Sequence, residues 1–95
     1  MTPEEFKLLL KEMSPPPGLD PLLLALWYDA KGDWVKSHEI IQEMDNKEAA
    51  RIHAYLHRKE GDLWNADFWY RKADTKQPNL SLEHELEHLI KKHLE

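Results

Sequence analysis

The sequence predicts an all-α fold: five helices, arranged as two helical hairpins flanked by an amphipathic helix at each end. Three observations carry this. Apolar residues recur at a spacing near 3.6 in successive segments, no segment alternates apolar and polar residues with a period of two, and stop-and-cap residue pairs punctuate the chain. With 95 residues the chain encloses one modest core and has no length for a second lobe closing over a substrate. A single helical domain over residues 1–93 is expected, with the final "LE" at 94–95 set aside as a tag remnant.

The first helix, within residues 1–13, starts at Thr2, which forms a capping box with Glu5 and is followed by Pro3 at the first helical position. Phe6, Leu9, Leu10 and Met13 then follow helical spacing. Residues 14–20 contain "SPPPG", a stiff elbow, since prolines lack amide donors and force the residue before each into extended geometry. Asp20 and Pro21 restart the chain, and the helix they open runs to Gly32, a left-handed terminator. Asp33 caps the next helix, which carries Trp34, Ile40, Ile41 and Met44 and stops at Asp45 and Asn46. A helix from about Lys47 to Glu60 ends at Gly61, Asp62 caps a helix from Leu63 to about Thr75, and Pro78 follows. Ser81 caps the last helix, within residues 79–93, with Leu82, Leu86, Leu89 and Ile90 on one side.

The middle of the chain repeats. Aligning "ALWYDAKGDWVKSHEII" from Ala25 with "AYLHRKEGDLWNADFWY" from Ala54 superimposes Ala, Gly and Asp, and large apolar residues fall at equivalent places. Each unit reads as helix, Gly-Asp turn, helix. The second unit resembles a tetratricopeptide repeat, with Gly61 in the turn, Ala66, Tyr70 and Ala73 along the second helix and Pro78 after it. In the first unit Leu24, Ala25, Tyr28 and Gly32 fit, whereas Ser37, Ile41 and Met44 are looser substitutes and the terminal proline is missing. The resemblance covers residues 21–78 as two degenerate units, and the glycines lie closer together than the family's period of about 34 residues. The pairing of "LWYDAKGDW" with "HAYLHRKEGD…FWYRKA" is also similar to short bacterial helical proteins without an assigned function. Because repeat stacks usually need about three units, the first and last helices are expected to cap the exposed ends.

Composition excludes several functions. A net charge of −5 opposes nucleic-acid binding, which relies on clustered Lys and Arg neutralising phosphates. The absence of cysteine removes disulfides, thiolate metal sites and thiol nucleophiles. The apolar run "LLLALW" is far too short to span a bilayer, so no membrane association is expected. The acidic start resembles neither a secretory signal nor a transit peptide, and a cytoplasmic location is expected. Gly18, Gly32 and Gly61 are isolated turn formers, and Ser14, Ser37 and Ser81 offer no convincing nucleophile.

Two sets of residues remain as candidates. The tetratricopeptide resemblance implies that first helices line a concave face, which in this register carries Leu22, Leu26, Asp29, Arg51, Tyr55, Arg58 and Lys59. Arg51, Tyr55 and Arg58, with Lys59 and Asp29, would suit an acidic peptide or chain end. A protein or peptide interaction module, non-enzymatic and without cofactor or metal, is the leading expectation. The family's clamp for peptide carboxylates is not matched. The second set is His53 and His57, an i, i+4 pair in the middle of a wide apolar arc. Neutral, hydrogen-bonded core histidines are the expectation, the alternative being a small enzyme or ligand-binding protein using His38, His53 and His57 in an enclosed pocket. A metal held by the pair, with His38 and one of Asp29, Glu60 or Asp67, is the remaining variant.

Two further features are weighed. "HELEH" at residues 84–88 matches the zinc-protease pattern, but His84 and His88 lie opposite the leucine stripe, where nothing shapes a cleft. Trp64 and Phe68 form a second apolar side on their helix; packing of the terminal helix there is expected, a homodimer contact being the alternative.

Overall fold

In the computed structural model, which describes residues 1–94, the chain forms α1 (Pro3–Leu9), α2 (Pro21–Ala30), α3 (Trp34–Gln42), α4 (Lys47–Lys59), α5 (Leu63–Lys72) and α6 (Leu82–Leu94). Six helices replace the expected five. Each hairpin supplies two, and α1 and α6 both form in addition, each held at its start by its own cap. No strand occurs among the described residues.

Side-chain caps open every helix. Thr2 and Glu5 make the reciprocal capping box, and Asp20, Asp33, Asn46, Asp62 and Ser81 each accept a backbone N–H of the helix that follows. At both Gly-Asp turns the glycine takes φ +88°. The next N–H then reaches back five residues, from Asp33 to the Tyr28 carbonyl at 2.9 Å and from Asp62 to the His57 carbonyl at 3.0 Å. One dipeptide therefore both stops a helix and caps the next.

Three helices end earlier than expected, α3 stopping at Gln42, short of Met44. Leu10, Lys11 and Glu12 tighten into i→i+3 bonds ahead of the prolines, so α1 stops at Leu9 and Met13 is 99% exposed. α5 stops before Thr75 because Asp74 adopts φ +57° and makes the same reversal without glycine. There the N–H of Thr75 bonds the Tyr70 carbonyl at 3.0 Å.

The pairs α2–α3 and α4–α5 pack as hairpins, α3 lies against α4, and α6 crosses onto α2 and α4. The main core gathers Phe6, Leu26, Trp27, Ile41, Ile52, Tyr55, Leu56 and Leu89, all buried. Ala54 and Ala66 let α4 and α5 approach closely, with Tyr70 beside them and Trp69 packed against the group. α1 is anchored by Phe6 and by the Trp27 indole N–H, which donates to the Leu9 carbonyl at 3.0 Å. No helix is long and apolar enough to cross a membrane.

α6 does not pack on Trp64 and Phe68 as expected. It carries Leu82, Leu86, Leu89 and Ile90 to the α2/α4 side, which leaves Trp64 82% exposed and Phe68 at the surface. The reason is Glu85, which lies within the leucine stripe and finds its cationic partners on α4.

Candidate functional site

The face expected to form a concave groove is covered by α6. Asp29 and Tyr55 are buried rather than available to a partner. The Tyr55 hydroxyl donates to Asp29 Oδ2 at 2.9 Å, and Lys59 Nζ donates to Asp29 Oδ1 at 3.0 Å. Burial beside the Asp29 carboxylate pushes the Tyr55 hydroxyl well above the ordinary tyrosine range, so it remains a donor.

Arg51 and Arg58 are committed in the same way. The fully buried Glu85 carboxylate accepts from Arg51 Nη1 at 2.5 Å, Arg58 Nη1 at 2.6 Å and the Tyr70 hydroxyl at 2.7 Å. Arg58 Nη2 also donates to the Leu80 carbonyl at 2.6 Å, which ties down the approach to α6. The acidic group suited to Arg51 and Arg58 is thus supplied by the chain itself. Glu85 is masked in the sequence by the leucine stripe that surrounds it. Its spacing from Leu82 and Leu89, three and four residues away, puts it on their side of the helix.

Beside this network lies an open cleft of about 820 Å³ between α4, the segment 73–80 and α6. Lys47, Arg51, Lys76, His88 and Lys92 line it against a single carboxylate, Glu48, with Ala73, Pro78 and Leu80 supplying apolar surface. Lys47 is paired with Asp74 at 2.5 Å, but both are largely solvated, and such a pair contributes little.

The histidines converge. His53 and His57 are 6% and 7% exposed, and His38 reaches them from α3, half-buried. His38 Nε2 and His53 Nε2 are 3.1 Å apart, and ring centroids are 4.8 Å apart for His53–His57 and 5.3 Å for His38–His57. Two tryptophans fix the rings. Trp69 stacks on His53 at 3.8 Å and 14°. Trp34 stacks on His38 at 4.9 Å and 8° while its indole N–H donates to the Leu56 carbonyl at 2.8 Å. His57 Nδ1 meets Glu60 Oε1 at 2.7 Å.

Burial lowers the pKa of His38, helped by the neighbouring His57 and opposed by Glu60. Burial first, then His38 and His57, brings His53 down to about 4. The His38–His53 contact therefore joins two neutral rings near neutral pH, one donating its Nε2 proton to the other. Helical periodicity turns His53 and His57 inward and brings His38 into reach as a third member of the group; the stacking of Trp34 on His38 and of Trp69 on His53 is not legible in the sequence.

His84 and His88 are exposed, as their position opposite the leucines implies. Asp67 is engaged in an exposed ion pair with Arg71 at 2.8 Å. No protein-family model, no curated protein and no solved structure matches the chain.

Proposed function

We propose that the chain is a small helical interaction module, resembling tetratricopeptide hairpins, that takes an acidic segment of a partner protein in the cationic cleft beside α6. The observation that carries this reading is the chain's own α6, whose Glu85 carboxylate is gripped by Arg51, Arg58 and Tyr70 at the edge of that cleft. α4 therefore already holds a carboxylate presented by a neighbouring helix. Lys47, Lys76 and Lys92 extend the same positive potential outward, in a protein whose net charge is −5. Local concentration of one sign against the overall balance steers partners of the opposite sign. The apolar patch of Pro78 and Leu80 within the positive rim favours a peptide, which buries side chains as well as charge, over a bare anion.

Fluorescence anisotropy with a labelled peptide rich in Asp and Glu tests this. Saturable binding is expected, weakened at least about tenfold in a Lys76→Glu/Lys92→Glu double variant and weakened by added salt. Absence of binding, or equal binding by the variant, overturns the reading. Uptake of pyrophosphate without peptide binding would assign the cleft to small anions instead.

A further inference from the structure

We propose that His38, His53 and His57 form a mononuclear binding site for a divalent metal ion of the zinc class, with Glu60 as the outer partner of His57 and the fourth position left to water. The proposal goes beyond the peptide-binding reading and shares no residue with it.

The donor set comes first. One coordinating atom from each histidine lies within 4.8 Å of the others. In a tetrahedral site with metal–nitrogen bonds of about 2.0–2.1 Å, neighbouring nitrogens sit about 3.3 Å apart. The His38–His53 separation of 3.1 Å is already close to that edge. His57 completes the set by a side-chain adjustment about its own bonds, since one ligand nitrogen from each of the three rings already lies within 4.8 Å of the others. Because Nδ1 of His57 is occupied by Glu60, its Nε2 is the nitrogen free to join the other two.

The surroundings are those of a prepared site. A ligating histidine characteristically gives its other ring nitrogen to a carboxylate, which fixes the tautomer and makes the ring a better donor. The Glu60 contact at 2.7 Å supplies this. Trp34 and Trp69 hold His38 and His53 face to face with their indoles, which restricts ring rotation before any ion arrives. Half-exposed His38, at the edge of the cluster, gives an ion its way in.

Chemistry narrows the ion. Three imidazoles without thiolate suit zinc, cobalt, nickel or copper(II) and disfavour calcium and magnesium, which take oxygen ligands. No fourth histidine or carboxylate among the described residues joins the three; the neighbouring group of His57, Glu60 and Asp62 shares only His57. Three protein donors and one open position is an arrangement that zinc accepts readily.

The test uses the full chain, stripped with chelator and titrated with zinc alone by calorimetry. One-to-one uptake is expected, and cobalt in place of zinc should give the strong visible absorption of a four-coordinate site. Glu60→Gln is expected to weaken zinc binding about tenfold, and His38→Ala to weaken it further, while a His84→Ala/His88→Ala double variant leaves it unchanged. Should His38→Ala fail to fold by circular dichroism, NMR of the wild-type ring nitrogens decides, since zinc must shift His38, His53 and His57 together. Absence of one-to-one uptake overturns the proposal. So does binding that survives His38→Ala, or that disappears with His84 and His88. Failure here leaves peptide capture in the α6 cleft intact, because the two are read by different probes at different residues.

Discussion

Ser37 shows what a single small side chain does in this molecule. It is fully buried on α3, and its hydroxyl has no hydrogen-bond partner among the described residues. A small residue is needed there for close helix approach, but its oxygen is not. Ser37→Ala is therefore expected to stabilise the chain by up to about 1 kcal/mol, since a buried hydroxyl without a partner costs desolvation and alanine is the better helix former. Urea unfolding checks this, and a loss of more than about 1 kcal/mol would mean that the hydroxyl is bonded after all. The histidines were partly legible at this scale. Spacing sufficed to turn His53 and His57 inward because helical periodicity is local, whereas nothing local announces that Trp69 will lie 3.8 Å over His53. That contact joins residues on different helices.

At the scale of elements, helix starts are legible in the sequence and helix ends less so. Caps act within three residues, so Thr2, Asp20, Asp33, Asn46, Asp62 and Ser81 could all be found from sequence. Gly32 and Gly61 were equally plain. Asp74 was not, because a non-glycine residue at φ +57° is uncommon, and α5 had been expected to run on to Thr75. Asp74→Gly should relieve that conformation and stabilise the fold by about 0.5–1 kcal/mol, since the exposed ion pair with Lys47 that it removes contributes little. A rise in melting temperature is the expected readout; a fall would show that the Lys47 pair outweighs the backbone term. α1 ended early for a related reason, with Leu10 to Glu12 tightening into a narrower turn before the three prolines.

On the scale of the whole molecule, α6 decides the outcome. By carrying Glu85 to Arg51, Arg58 and Tyr70 it closes the face that the repeat resemblance had left open, and it leaves Trp64 and Phe68 uncovered. Glu85→Ala should cost about 3 kcal/mol, because two arginines largely withdrawn from water would lose their counter-charge. The check is chemical denaturation alongside hydrogen exchange, with α6 expected to lose protection before α4. Uniform loss, or less than about 1 kcal/mol, would show that the leucines alone hold α6. By itself, the sequence determined the all-α class, the two Gly-Asp hairpins, the caps and the inward turn of His53 and His57, since each follows from hydrogen bonds and periodicity within a few residues. Only the tertiary structure decided which face α6 covers, that Arg51 and Arg58 are spent on Glu85, and that Trp34 and Trp69 stack on the histidines. Those outcomes depend on burying apolar surface and neutralising charge between residues distant in the chain, and such terms are settled only when all six helices compete for the same core.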